Sequence, residues 1–412
     1  MSIISPKSNI LIATFSPWKQ GKRMPINGNV EPMIDFFTVR VGKTVLIDQI
    51  YPGSDSVMPR VEEYKKKKQT IKKVSWWLYI LYPFLKLSNT DATHISFKLR
   101  DFFSVLNIGF DTKTPYDFFI GFEAINALAG VFLKKFGKVK KVVYYVSDYS
   151  PNRYRQKWFN DLYLWLDRQA AMKSDIIWDV SWAMQPARIK AGLDEKKSAT
   201  VLQVPNALYP KQISQASEKD VVPYSLVFMG TLGQENGPDL AVETLPIILK
   251  KFPKTILHIV GGGSENEERL QSLVKKLKIE KSVVFHGFIA DREKVSATIK
   301  PFAIALAPYI NIPGSARLYG DATKIRAYLA AGLPTITTTV PPLGKDAEKK
   351  GAAIIVKDNK KALAEAIIKV FTDKKLYRSL RKNAFTFARN NTWDNEYALA
   401  FEKMEKLHTK VI

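Results

Sequence analysis

TILHIVGGGSENEERLQSLVKKLKIEKSVVF, residues 255–285, holds one full turn of an α/β alternation. Thr255 to Val260 is a short apolar run that ends at glycines, as a strand buried on both faces does. Glu265 to Leu277 reads as a helix and Ser282 to Phe285 as the next strand. Val260-Gly261-Gly262-Gly263-Ser264 joins the first strand to the helix. Glycines there let backbone approach a ligand, and the helix start offers free N–H groups to a phosphate. A turn that merely connects the two elements would carry the same residues.

Working outward, the alternation continues. In the second half, Ser225 to Met229, Phe302 to Ala307, Thr335 to Thr338 and Ala353 to Val356 are strands. Asp239 to Lys250, Asp291 to Ile299 and Lys324 to Ala331 are helices, and helices from Lys361 to Leu407 close the chain. In the first half, strands are expected at 9–15, 44–48, 116–121, 141–146, 174–180 and 200–204, with helices at 30–37, 124–136 and 158–172. Lys65 to Lys68 reads as a solvated turn. Between the halves, Tyr209 to Tyr224 is polar, has prolines near both ends and reads as a linker. The expected fold class is α/β, two doubly wound domains in tandem with a cleft between them, ligands binding beyond the strand carboxyl ends.

Composition agrees and excludes. The 412 residues suffice for two domains of about 200 residues each. Apolar residues make up 46 %, enough for two cores. There is no cysteine, which rules out disulfides, zinc thiolates and a cysteine nucleophile and fits a reducing cytoplasm. Four scattered histidines, His94, His258, His286 and His408, show no metal-ligand spacing, so no metal is expected. The net charge of +24, basic in both halves, favours phosphate partners: nucleotides, nucleic acid or an anionic membrane. Solubility alone would also account for many of the lysines. The N-terminus lacks a signal-peptide pattern, and no apolar run reaches the length of a membrane span. Trp76 to Leu87, WWLYILYPFLKL, is apolar but short and interrupted by Pro83, and suits either a core helix or a membrane interface.

Three further groups of residues stand at strand ends. Gly230-Thr231-Leu232-Gly233 follows the strand ending at Met229, and Gly237 closes that loop. In GDATKIRAYLAAGLPTI, residues 320–336, Thr323 is the expected N-cap and Gly332 the C-terminal cap before Pro334. Lys324 then lies in the first helical turn, where the helix dipole disfavours a cation unless an anion lies beside it. In the first half, Glu123 and Asp148 follow strands and face the expected cleft. Either acid would equally serve a turn or helix start.

Together these runs resemble the GT-B glycosyltransferases of the group 1, or family 4, type. LVFMGTLGQENGPDLAVETL, LHIVGGGSENEERLQSLVKKLKIEKSVVFHGFI, IALAPY, TKIRAYLAAGLPTITT and NNTW carry the likeness in order, over roughly residues 225–400. The first half matches more loosely, through its alternation and VPNALYP. The resemblance implies two Rossmann-like domains: residues 1–208 on the acceptor side, a linker at 209–224, a donor domain at 225–389, and a helix at 390–412 crossing back. It implies a retaining, metal-independent transfer with no cofactor beyond a nucleotide-diphosphate sugar as donor. Gly230, Thr231, Gly233, Gly261, Gly262, Gly263, Thr323 and Lys324 would bind that donor. Asp321 would meet its sugar hydroxyls. The Ser16 to Asn29 loop, with Lys19, Lys22 and Arg23, and the acids Glu123 and Asp148 would face the acceptor. Asp148, Asp321 and Lys324 are the candidate catalytic groups.

The chain departs from the family pattern at the acids. Two glutamates eight positions apart would fall at Tyr319 and Ala327. The first glycine loop lacks the family's arginine and lysine, with Thr231 or Leu232 and Asn236 in their places. The expected function is a cytoplasmic transferase, peripheral on the membrane's inner face, that acts on a glycan or lipid-linked acceptor. The alternatives are a sugar-nucleotide epimerase of the same fold and an impaired, sugar-nucleotide-binding relative. No nucleic-acid partner is expected, since no recognised module interleaves basic and aromatic residues.

Overall fold

The central strands are short runs of Val, Ile, Leu and Phe with no polar alternation, so they are stable only with helices on both faces. The computed structural model describes residues 3–24, 28–51, 54–65, 68–81, 94–262, 264–289 and 291–409. It divides into two units, Met1–Asn206 with Glu396–Ile412, and Ala207–Asn395.

The first unit begins with β1 (Asn9–Ser16), a small hairpin of β2 (Trp18–Lys19) and β3 (Lys22–Arg23), α1 (Val30–Thr38) and β4 (Lys43–Ile50). Then come β5 (Arg60–Lys65), β6 (Lys68–Lys72), α2 (His94–Phe110), β7 (Tyr116–Phe122), α3 (Glu123–Lys135) and β8 (Val139–Val146). It ends its first pass with α4 (Lys157–Lys173), β9 (Ile176–Asp179), α5 (Met184–Lys190) and β10 (Thr200–Gln203). The eight-stranded sheet has the order β10-β9-β8-β7-β1-β4-β5-β6. It is parallel except for β5 and β6, which pair antiparallel at one edge.

That edge differs from the sequence reading, which placed no strands there. Its residues are charged, yet Glu63 is buried and meets Lys43, Lys65 and Lys72 within 3.5 Å. Burial acts to raise its pKa, but these lysines hold it down at about 2. Helices α2 and α5 were likewise not anticipated. Trp76–Leu81 forms a 3₁₀ helix, and the rest of the apolar run to Leu87 lies outside the described residues.

The second unit comprises β11 (Ser225–Met229), α6 (Pro238–Leu249), β12 (Ile256–Val260), α7 (Ser264–Lys276), β13 (Val283–Gly287), α8 (Arg292–Ile299) and β14 (Ile304–Ala307). It continues through α9 (Thr323–Ala330), β15 (Thr335–Thr338), α10 (Pro342–Lys349), β16 (Ala353–Val356), α11 (Lys360–Thr372) and α12 (Lys374–Asn390). Its sheet is wholly parallel in the order β13-β12-β11-β14-β15-β16. This is the doubly wound Rossmann order, with its reversal between β11 and β14.

Residues 209–224 are tied to the second unit. Ser214 N donates to Ala330 O, Val222 N to Pro301 O, and Arg381 Nη2 to Ala216 O. The last helix, α13 (Trp393–Thr409), contributes to the first unit from Glu396 onward. There Tyr397 and Phe401 pack against Phe36, with ring centroids 5.4 and 6.1 Å away. Phe401 also meets Trp178 edge-on at 5.4 Å.

Candidate functional site

The carboxyl ends of β11 and β14 flank the point where the second sheet reverses, the place where ligands bind in such sheets. Two glycines let chain segments converge there. Gly237 has φ +75°, and a Cβ on it would collide with the Pro308 carbonyl just after β14. Gly230 has φ +123°, and a Cβ on it would lie 3.3 Å from the Lys324 ammonium. Its N–H donates to Val260 O, which couples the two glycine loops. Gly261 packs so closely on the Gly230 carbonyl that no side chain fits between them.

Lys324 enters from α9. Its neighbours Ile325, Tyr328 and Leu329 are fully buried and fix the helix on the sheet. Tyr328 OH accepts from Met229 N at 2.6 Å, at the end of β11. Gly332 closes α9 with φ +65°: its N–H reaches Leu329 O, and Leu333 N reaches Tyr328 O. This packing carries Lys324 inward. The residue is 8 % exposed, and its Nζ has no hydrogen-bond partner among the described residues. It rests over the rings of Phe228 at 4.2 Å and Tyr309 at 4.8 Å. Burial pushes its pKa down to about 7, Arg317 adds to the fall, and Glu235 opposes it.

Glu235 and Arg317 form the rim, and sequence reasoning missed both. Arg317 Nε stands 3.4 Å from Glu235 Oε1. Ser315 Oγ donates to Glu235 Oε2 at 3.1 Å, and Ile310 N donates to Glu235 O. The loop after β11 is thereby pinned to the loop after β14. Thr231 and Asn236 bond to each other, Asn236 Nδ2 donating to Thr231 Oγ1 at 2.8 Å. Arg269 also braces this loop, through Asp239 and the Leu232 carbonyl. The arrangement can accept a dianionic group. A buried ammonium with no hydrogen-bond partner among the described residues and an arginine held by one half-exposed acid stand beside glycine backbone.

Two expectations at this helix are corrected. Ala322, not Thr323, is the N-cap, and no side chain caps the helix; Thr323 is its exposed first residue. Asp321 is not open to a sugar. Arg326, one turn into α9, takes its carboxylate in a two-pronged pair at 2.8 Å, with side-chain exposures of 2 % and 5 %. Gly233 lies in the rim loop beside Asn236, and Gly262 beside Phe288 N. Gly263 lies outside the described residues. A separate concavity of about 480 Å³ is lined by Gln234, Asp239, Glu243 and Asp358 among others. Lys360 also lines it, and two of its three carboxylates are paired, Glu243 with Lys360 and Asp239 with Arg269.

In the first unit the structure joins Glu123 and Asp148 through a residue the sequence reading passed over. Arg153 reaches Glu123 Oε1 with Nη2 and Asp148 Oδ2 with Nη1, both at 3.2 Å. Lys98 bonds the other Glu123 oxygen at 2.6 Å. Burial acts to raise the Glu123 pKa, but Lys98 and Arg153 hold it down at about 2, so it stays ionised. Glu123 also has φ +61°, a strained backbone for a residue with a side chain. Asp148 is half exposed. Lys19 and Lys22 are exposed on the hairpin. Arg23 is corrected to a bracing role: it turns inward to Asp48 at 2.7 Å and Glu62 at 3.0 Å, both buried.

Comparison with known proteins bears on the family and the fold. Residues 211–387 match the family model for glycosyl transferases group 1. The O-antigen biosynthesis glycosyltransferase WbnH of Escherichia coli is 29 % identical over 123 residues, 30 % of this chain and 32 % of that one. The D-inositol 3-phosphate glycosyltransferase of Jonesia denitrificans is 28 % identical over 187 residues, 44 % of this chain and 41 % of that one. The chain thus spans less than half the length of these relatives. Among solved structures, an Anabaena HepE protein in complex with UDP has a TM-score of 0.66 at 14 % identity, covering 97 % of this chain and all of that one. A sucrose-phosphate synthase from Thermosynechococcus elongatus has a TM-score of 0.67 at 14 % identity, over 98 % and 99 % of the two chains. Residues 211–387 thus match the group 1 glycosyl transferases, and the two Rossmann-like units have the fold of the GT-B structures.

Proposed function

We propose that the chain transfers a sugar from a nucleotide-diphosphate donor to an acceptor hydroxyl. The observation that carries this is Lys324, buried at the reversal point of the second sheet with no hydrogen-bond partner for its Nζ among the described residues. The bond from the sugar's anomeric carbon to the diphosphate oxygen breaks, a bond to the acceptor oxygen forms, and the acceptor's proton passes to the departing diphosphate. Charge grows on the departing diphosphate. Lys324 and Arg317 stand where they would stabilise it, so the barrier would fall without a metal. Retention of configuration follows the family resemblance.

The HepE relative is described in complex with UDP and with UDP-glucose, which supports a uridine donor. WbnH is named for O-antigen biosynthesis, which supports a polysaccharide or lipid-linked acceptor. The net charge of +24 supports work at an anionic membrane surface. No helix among the described residues is long and apolar enough to cross a membrane.

A second reading is a nucleotide-sugar binder that does not turn over. The family's glutamate positions hold Tyr319 and Ala327, and the nearby Asp321 is committed to Arg326. Thermal shift against a panel of sugar nucleotides, followed by assay of nucleoside diphosphate release with and without glycan acceptors, separates the readings. Acceptor-dependent release supports the transferase. Isomerised donor without net diphosphate release points to an epimerase. A shift without release supports the binder, and no shift with any sugar nucleotide overturns all three.

A further inference from the structure

A helix on a protein surface normally turns polar residues outward. Helix α2 does not. Ile95, Leu99, Phe103 and Phe110 are all exposed, by 42, 47, 37 and 40 %. Their spacing of four, four and seven places them within about 80° of arc on one helix face. The opposite face is already satisfied, with Arg100, Ser104, Val105 and Ile108 buried. This outward stripe therefore has no part in the core.

The stripe is continuous with its neighbours. Phe103 meets Trp77 at 6.3 Å, Phe102 meets Phe132 of α3 at 6.2 Å, and Phe110 meets Phe136 at 5.6 Å. The row ends in the 3₁₀ helix, where Trp76 is 80 % and Ile80 64 % exposed. The exposed charges near it in sequence are mostly basic, Asp111 being the exposed acid. Lys73, Lys113 and Lys135 are exposed. The acids nearest in sequence are all engaged: Asp101 with Arg100, Asp111 with Lys72, Asp117 with Lys140.

We infer that this aromatic row on the 3₁₀ helix, α2 and α3 is the surface by which the chain sits on an anionic lipid bilayer. The inference rests on the membrane part of the proposed function and names its contact face. Exposed Trp and Phe beside lysines suit the headgroup boundary, where rings enter the acyl region and ammonium groups meet lipid phosphates. A second copy of this chain is the poorer occupant, since two such faces would bring lysines against lysines on molecules of charge +24.

The test is co-sedimentation with phosphatidylcholine vesicles, with and without phosphatidylglycerol, at rising salt. Wild type should bind the anionic vesicles and release as salt rises. Combining Trp76→Ser, Ile80→Ser and Phe136→Ser should weaken that binding by roughly 10-fold or more. Combining Lys73→Glu and Lys135→Glu should weaken it by a similar factor, on anionic vesicles only. Both variants should keep the thermal shift with UDP, which reports the donor site separately. If the serine variant binds anionic vesicles as wild type does, the surface assignment is wrong while membrane association stands. If wild type binds no vesicles, membrane association falls too, and the UDP shift still decides the donor site. A vesicle-free dimer that the serine variant abolishes would instead assign the row to self-association and overturn the inference.

Discussion

Replacing Lys324 with methionine should make the protein more stable and unable to hold its donor. Methionine keeps the length of the stem over Phe228 and Tyr309 but removes the ammonium. In the folded chain the lysine pKa falls from 10.5 to about 7. At about 1.4 kcal/mol per unit, the charged side chain is disfavoured by up to about 5 kcal/mol. The sign follows from proton counts. Between pH 7 and 10.5 the unfolded chain holds this proton more firmly than the folded one, so wild-type stability rises with pH across that window. Below about pH 7 the full penalty applies, and above the unfolded value it disappears. The variant lacks this dependence. Its advantage should be largest at and below neutral pH, raising Tm by roughly 2–4 °C for each kcal/mol gained, and should vanish in alkali.

Donor binding should show the converse. A diphosphate recharges Lys324, so binding takes up a proton above about pH 7. Affinity is full below the free-state pKa and falls by up to about tenfold per pH unit above it. Calorimetry of UDP binding in two buffers of different ionisation enthalpy measures that uptake directly. Lys324→Met should bind UDP roughly 10- to 1,000-fold more weakly. A variant less stable than wild type at neutral pH that still binds UDP equally well would refute the whole chain of reasoning.

Arg317→Ala should weaken UDP binding by roughly 10-fold and reduce its salt sensitivity, because the guanidinium can exchange Glu235 for phosphate; calorimetry at two ionic strengths checks this. Asp321→Asn strands a buried Arg326 and should lower stability by about 3–5 kcal/mol, measured by denaturant titration, with UDP affinity per folded molecule unchanged. Gly237→Ala should cost about 1–3 kcal/mol or more, since it combines a left-handed backbone with a clash on Pro308, and it should disturb the donor loop before it unfolds the unit.

The parallel sheets were legible because their strands are short apolar runs bounded by glycine, and each predicted strand of the second unit appears within two residues of its place. The hairpin of β5 and β6 was not legible. RVEEYK and KQTIK look solvated until Glu63 is seen among three lysines, which is a tertiary fact. Helix α2 was missed because its outward face is apolar, so its pattern lacks the contrast that marks a surface helix. At the site, the unfavourable place of Lys324 in the first turn was readable from the dipole argument alone. Its fate was not, since burial depends on Ile325 and Tyr328 anchoring α9. Asp321 was misread for a related reason. Its partner lies five residues on, and only the helix start brings Arg326 back to it.

Those two neighbours show how the site separates structure from function. Asp321 and Arg326 are both buried and satisfy each other, so they hold the helix mouth in place whether or not a ligand is present. Lys324 lies between them in sequence, is buried as deeply, and is satisfied by no carboxylate. Glu235 is the acid whose field reaches it, yet that acid is half exposed and engaged with Arg317 and Ser315. A fold under selection for stability alone would neutralise such a lysine, because an unpaired buried charge is among the costlier defects a core can carry. Placed beside glycine backbone, Lys324 suits a partner of opposite charge that arrives from outside the chain. The family's missing glutamates do not weaken that argument. The proposed donor site rests on the unsatisfied ammonium and not on an acid at Tyr319 or Ala327.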